Sequence, residues 1–116
     1  MKTHAGRKLS RPTGARFALL RSLATHLLRH EQIKTTLPKA REVARFTEHL
    51  LALAKRQNLA STRRVYADLQ DRVVRKKIQD VFVPRYRDRQ GGCTRVFRLG
   101  RRLGDGAEMA VIKLIS

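Results

Sequence analysis

The sequence of 116 residues contains a single cysteine, no tryptophan, three prolines and few acidic residues. Because one thiol has no partner within the chain, Cys93 excludes an internal disulfide framework and a zinc site built from several cysteines. No apolar run approaches the roughly 18 residues of a membrane-spanning helix. The N-terminus also lacks the apolar core of a secretory signal. These absences fit a reducing compartment and predict that the chain does not insert into a membrane.

Motifs for catalysis or cofactor binding are absent as well. No H-E-x-x-H motif occurs among the four histidines, and no general base is placed beside Cys93, so this thiol is expected to be packed and inert. The glycines at 91–92 and 100–106 match neither a phosphate-binding loop nor a dinucleotide fingerprint, because no helix follows them. The sequence therefore predicts no enzyme, no metal, no cofactor and no small-molecule substrate.

Positive charge dominates what the sequence does contain. There are 27 Lys and Arg residues against 9 Asp and Glu residues, which gives a net charge of +18 and an isoelectric point near 11.7. Such a chain repels itself unless it lies beside a polyanion. Nucleic acid is the first candidate, an anionic membrane surface the second and an acidic protein the third. Because aromatic residues are few, a platform for stacking single-stranded bases is not expected, and recognition of RNA shape and backbone is favoured.

Hydrophobic periodicity predicts the secondary structure. Apolar residues at helical spacing indicate four helices, and β-branched residues indicate three strands. The helices are expected at residues 14–30, 38–57, 61–69 and 71–82, and the strands at 32–36, 93–99 and 109–115. Thr36 and Asp71 are expected to cap helices, Asn58 to end the second helix, and Pro84 to stop or kink the last one.

The element order predicts an α+β fold of two layers. The order is helix, strand, three helices, strand, strand, with the helices packed on a small mixed three-stranded sheet. This single domain is expected at residues 13–116, after a basic N-terminal arm at residues 1–12. No acidic residue precedes Glu31, so the arm is interpreted as a segment that becomes ordered on nucleic acid, with a disordered tail as the alternative.

Several stretches resemble the bacterial large-subunit ribosomal protein seventeen family over nearly the whole chain. They are Gly6-Arg7-Lys8-Leu9, residues 27–42, Pro84-Arg85-Tyr86, Gly91-Gly92-x-Thr94-Arg95 and Gly104-Asp105-x-Ala107-x-Met109-Ala110. The sequence departs from the family pattern at Cys93, where the family tends to have Tyr, and at Lys113, where it tends to have an acid. Its first residues also look shifted relative to the family.

The resemblance implies a structural role without catalysis. It implies binding to 23S ribosomal RNA near the nascent-chain exit side of the cytoplasmic large (50S) subunit, with neighbouring large-subunit proteins as further partners. The resemblance leaves open whether the source is a bacterium or a plastid. Two rival classes stay open: a free DNA-binding architectural protein, which would show a groove-reading helix or dimerisation, and an RNA-modifying enzyme, which would need a cofactor pocket.

The residues expected to contact RNA are basic side chains from the arm, the first two long helices and the C-terminal hairpin. Arginine is favoured because its planar fork pairs with phosphate and stacks on bases. The predicted set is Lys2, Arg7, Lys8, Arg11, Arg16, Arg21, Arg29, His30, Lys39, Arg41, Arg95, Arg98, Arg101 and Arg102.

Overall fold

The structure is a computed structural model that describes residues 13–116. The predicted basic arm, residues 1–12, lies outside the described residues. The elements are, in chain order, α1 (Thr13–His30), β1 (Gln32–Thr36), α2 (Leu37–Lys55), α3 (Leu59–Asp68), α4 (Arg72–Lys77), a π-helical turn (Ile78–Phe82), α5 (Val83–Arg85), β2 (Thr94–Arg101) and β3 (Glu108–Leu114). The predicted α+β class and order of elements are confirmed.

The three strands form one sheet in the order β1-β3-β2, and both pairings are antiparallel. The prediction of a mixed sheet was therefore wrong. The two strands that run in the same direction, β1 and β2, are not neighbours, because the hairpin places β3 between them. The central position of β3 agrees with its apolar sequence, since a middle strand is flanked on both sides.

The strand register divides the sheet into two faces. Ile33 and Val96 lie opposite Ile112 on one face. Lys34 and Phe97 lie opposite Val111 on the other face. The buried strand residues all lie on the first face; they are Thr94, Ala110, Ile112 and Leu114. The helices therefore cover one face of the sheet, as expected for a two-layer fold.

The hairpin contains a β-bulge between Arg98 and Gly100. Gly100 has φ of +103°, a backbone conformation that favours glycine because it has no Cβ. The bulge extends β2 to Arg101, two residues beyond the predicted end of that strand. The hairpin loop is correspondingly shorter than predicted, because a glycine that was interpreted as loop lies within the bulged strand.

The core is one cluster that joins the helices to the inner face of the sheet. The apolar stripes of α1 and α2 supply most of it, and Phe46 on α2 is only 5% exposed. Phe82 and Tyr86 stack with their ring centroids 6.1 Å apart, and the Tyr86 hydroxyl donates to the Ile115 carbonyl. Tyr86 lies beyond the last predicted helix, at residues 71–82, so hydrophobic periodicity did not identify this buried aromatic residue.

The junction between α1 and β1 is organised by Glu31. Its φ is +64°, and its N–H donates to the Leu27 carbonyl at 2.7 Å, which ends α1 with a left-handed residue. Its own carbonyl accepts from the Leu114 N–H at 2.9 Å. Its carboxylate lies 2.6 Å from Arg85 and 3.3 Å from Lys77. One residue thus connects the end of α1, the sheet and the last helical segments.

Two of the three predicted helix boundaries need correction. Thr36 occupies the N-cap position of α2, but its side chain makes no capping hydrogen bond. Asn58 does not end α2, which stops at Lys55; it caps α3 instead by accepting from the Ser61 N–H at 2.8 Å. Asparagine satisfies an orphan N–H better at a helix start than it terminates a helix. The predicted Asp71 cap is confirmed, with bonds from Val73 and Val74.

The helical segment that begins at α4 contains the irregularity expected near proline. Pro84 lies inside α5, and helical structure stops at Arg85, one residue later. Proline lacks the N–H that would bond four residues back and its ring crowds that turn. The π-helical turn at Ile78–Phe82 directly precedes α5. In this turn the Val83 N–H donates to the Ile78 carbonyl, five residues back.

Candidate nucleic-acid interface

A cleft forms where the start of α2 meets the C-terminal hairpin. Arg41 lies one turn into α2, and Arg98 and Arg101 come from β2; all three side chains line this cleft of about 690 Å³. Leu37 and Pro38 contribute apolar surface, and Glu108 is the one acidic residue that lines it. Three predicted RNA-contacting arginines, separated by up to sixty positions in the sequence, are brought together here. We call this site the arginine cleft.

Most of the positive charge in the arginine cleft is not offset by ion pairs. Within residues 13–116, Arg41 and Arg98 form no ion pair, and Arg101 lies 3.9 Å from Glu108. Arg101 also donates to the Gly106 carbonyl at 3.1 Å. Guanidinium groups that converge on one concave surface repel each other in the isolated protein, and an inserted anion relieves that repulsion. The arrangement therefore suits phosphate.

The opposite, helix-free side of the sheet forms a second basic surface. Its members follow the outward positions of the three strands; we call it the outer sheet face and define it as Gln32, Lys34, Arg95, Phe97, Met109, Val111 and Lys113. Arg95 was predicted to contact RNA, whereas Lys34, Phe97 and Lys113 were not. Strand alternation was the signal that could have found them, but the pairing that aligns them depends on the register of distant strands.

The predicted contacts on α1 are held by carboxylates of the α3–α4 region. Arg21 lies 3.1 Å from Asp68, and Arg29 lies 3.0 Å from Asp71. Both arginine side chains are about half exposed, and such surface pairs are weak enough to exchange a carboxylate for a phosphate. His30 stacks on His26 with 6.1 Å between ring centroids, at the end of this surface.

The remaining predicted contacts differ in accessibility. Arg16 is 4% exposed and its guanidinium lies 5.2 Å from the Phe17 ring centroid, so it is poorly placed for an external partner. Lys39 lies on α2 and forms no ion pair within the described residues. In the hairpin loop, Arg102 lies 2.5 Å from Asp105 and holds the pKa of that carboxyl well below its usual range. The contacts predicted in the arm, Lys2, Arg7, Lys8 and Arg11, lie outside the described residues.

Some basic residues in the sequence serve the fold. Arg75 donates to the carbonyls of Leu69 and Tyr66 at 2.5 and 2.6 Å, and its guanidinium lies 4.5 Å from the Tyr66 ring centroid. Lys77 donates to the Arg29 carbonyl at 2.9 Å. These cations replace missing backbone partners at helix ends, so a count of basic residues overstates the charge that is available for RNA.

A metal site, a reactive thiol and a membrane-spanning helix are the other features to consider in the described part of the chain. No group of His, Cys, Asp or Glu side chains among residues 13–116 could hold a metal ion. Burial raises the pKa of the Cys93 thiol, which lowers the thiolate fraction that a nucleophile requires. None of the helices in these residues is long and apolar enough to cross a bilayer. Fold and surface define a small, strongly basic α+β protein.

Comparison with known proteins identifies its family. The family model described as Ribosomal protein L17 matches residues 19–115. Large ribosomal subunit protein bL17 of Thermus thermophilus is 51% identical over 112 residues, which cover 96% of this chain and 95% of that protein. The bL17 protein of Dictyoglomus thermophilum is 50% identical over 111 residues and 96% of each chain.

A third relative is longer than this chain. The bL17 protein of Paramagnetospirillum magneticum is 51% identical over 111 residues, which cover 96% of this chain and 79% of that protein. The chain therefore belongs to the Ribosomal protein L17 family, and the family predicted from the sequence is confirmed. This is a family of structural ribosomal proteins and not of enzymes.

Proposed function

We propose that this chain is a structural constituent of the cytoplasmic large ribosomal subunit and binds 23S ribosomal RNA near the nascent-chain exit side. In this role it supports subunit assembly and translation, with neighbouring large-subunit proteins as further partners. Family membership supports the ribosomal role. The site near the exit and the identity of the RNA rest on the sequence resemblance. Residues 13–116 are proposed as the folded domain and residues 1–12 as an RNA-binding arm.

The observation that carries RNA binding is the arginine cleft. Arg41 reaches it from α2, and Arg98 and Arg101 reach it from β2, against the single carboxylate of Glu108. Gathering these cations costs electrostatic free energy in the isolated chain, which a polyanion offsets. An arginine fork pairs with two phosphate oxygens at once, so the cleft can also orient the RNA backbone.

The first test of the proposed function is co-sedimentation. Full-length chain is expressed in a bacterium, and large subunits are collected through a high-salt wash. We expect the chain to remain with the large subunit, because many phosphate contacts act together. Recovery only in the salt-soluble fraction would contradict a structural role in the subunit.

A variant pair tests the cleft itself. Arg41→Ala with Arg98→Ala removes two cations of the cleft, and the matched control, Arg63→Ala with Arg64→Ala, removes two exposed cations from α3. For each phosphate contact that is lost, the slope of log affinity for 23S RNA fragments against log salt should fall by about one. If the cleft variant and the control bind alike, the arginine cleft is not the principal RNA contact.

A further inference from the structure

The outer sheet face exposes an aromatic ring among cations. Phe97 is 50% exposed, although it lies within a regular strand opposite Val111 of the central strand. The Lys113 Nζ lies 5.8 Å from the centroid of the Phe97 ring, within reach of a cation–π contact. No helix of residues 13–116 covers this face, because every buried strand side chain lies on the other one. Exposed aromatic surface of this kind costs free energy in water until a partner covers it.

The charges of the face restrict the chemistry of that partner. Lys34 and Val111 lie level with Phe97 across the sheet, and Arg95 and Lys113 form the adjacent row. No acidic residue belongs to the outer sheet face: Glu108 alternates with the same side as Ala110, and the Glu31 carboxylate pairs with Lys77 and Arg85 of the helical segments. The matching partner presents a flat apolar surface together with negative charge.

We propose that the outer sheet face binds an unpaired segment of RNA, with one base stacked on Phe97. The phosphates beside that base lie against Lys34, Arg95 and Lys113. Only an unpaired base fits, because both faces of a base within a duplex are already covered by its neighbours. The sheet thus supplies a stacking platform from one phenylalanine, where an aromatic-poor sequence predicted none. The inference rests on the proposed RNA-binding function and adds an unpaired nucleotide to it.

The absence of tryptophan from the sequence provides a direct probe. Phe97→Trp places the only tryptophan of the chain at the proposed stacking position, and Leu59→Trp places it at an exposed site on α3; excitation near the red edge of tryptophan absorption avoids the two tyrosines. An oligouridylate of about ten nucleotides should quench the fluorescence of Phe97→Trp, because a stacked base is an efficient quencher, and an RNA duplex of similar length should not. The Leu59→Trp control should respond weakly to both.

A second variant separates stacking from simple apolar contact. Phe97→Leu retains an apolar side chain of similar bulk but has no aromatic face. We expect its affinity for the oligouridylate to fall roughly 5- to 150-fold, with unchanged affinity for the duplex and an unchanged melting temperature. Phe97→Tyr should bind the oligouridylate like the unchanged chain.

The two proposals fail in different ways. If the duplex binds but Phe97→Trp is not quenched and Phe97→Leu binds the oligouridylate normally, the stacking proposal is overturned while RNA binding stands. If neither RNA binds at low salt, the proposed function itself is overturned. If sedimentation shows a dimer that Phe97→Leu dissociates, the outer sheet face is a contact between copies of this chain, and the stacking proposal is wrong.

Discussion

Glu31 shows how a single residue can hold several elements. It is a non-glycine residue with positive φ, and such residues persist where surrounding contacts determine the conformation. Here the contacts are two backbone hydrogen bonds and two cations from the last helical segments. The hydrogen bond from Arg85 lowers the pKa of the Glu31 carboxyl below its ordinary value of 4.5. Folding is therefore linked to the ionisation of this group.

The first prediction concerns the pH dependence of that contribution. A depressed pKa in the folded state means stability that is present above about pH 4.5 and lost as the pH falls through the lower folded value. Glu31→Gln should cost about 1 kcal/mol near neutral pH, a modest value because the side chain is 37% exposed. The difference in melting temperature from the unchanged chain should shrink in acid. Asp80→Asn, an exposed carboxylate without an ion pair in the described residues, is the control.

The second prediction concerns the cap at Asp71. Its Oδ1 accepts from the Val73 N–H at 2.9 Å, and its Oδ2 lies 3.0 Å from Arg29. Asp71→Ala should lower the free energy of unfolding by about 0.5–2 kcal/mol, because an orphan N–H loses its acceptor. Asp71→Asn keeps a capping oxygen and should cost less. Equal chemical-denaturation midpoints for the two variants would show that the cap contributes little.

At the scale of elements, α2 is the helix on which the two layers meet. It packs against α1, α3 and the inner face of the sheet, and its buried positions include more than half of its residues. Its first turn also faces the arginine cleft through Leu37, Pro38 and Arg41. The same helix therefore stabilises the core and positions one wall of the arginine cleft.

The third prediction tests the packing of α2 in the core. Phe46 is fully within the core, so Phe46→Ala should lower the free energy of unfolding by about 3–5 kcal/mol, measured by denaturant titration. His49→Ala, on the exposed side of the same helix, should change it by no more than about 0.5 kcal/mol. Unchanged melting of Phe46→Ala would mean that this side of α2 is not part of the core.

For the whole molecule, the net charge of +18 governs behaviour away from RNA. Because this value already counts every carboxylate, the ion pairs of Arg21, Arg29 and Arg102 neutralise charge only locally. The arginine cleft and the outer sheet face lie at different sides of the same sheet, so a large folded RNA can contact the protein from two directions. Extended phosphate contact of this kind releases counterions.

The fourth prediction follows from counterion release. If 6–10 basic groups meet phosphates, affinity for 23S RNA fragments should fall by roughly 10³- to 10⁵-fold between about 50 and 200 mM salt, by analogy with duplex DNA. Filter binding or fluorescence titration across a salt series measures this slope. A nearly flat dependence would rule out binding dominated by phosphate contacts. The Phe97→Leu variant should retain the slope, because stacking releases few ions.

The elements themselves were predictable because their causes are local. The apolar stripe of α2, the cap at Asp71 and the β-branched residues of β1 are properties of adjacent positions, and they predicted each element within a few residues. The bulge at Gly100 and the burial of Tyr86 were missed, since both depend on partners in other strands. The sheet was predicted as mixed because strand order cannot be inferred from single strands.

By itself, the sequence determined the fold class, the family and the preference for a polyanionic partner. Composition, hydrophobic periodicity and sequence motifs are properties of the amino-acid sequence and do not depend on contacts between distant residues. Only the tertiary structure decided which cations are available. It paired Arg21 and Arg29 with carboxylates, assigned Arg75 to helix ends and gathered the arginine cleft from two distant segments. The reason is physical: the availability of a charge depends on burial and on neighbours in space, and folding sets both.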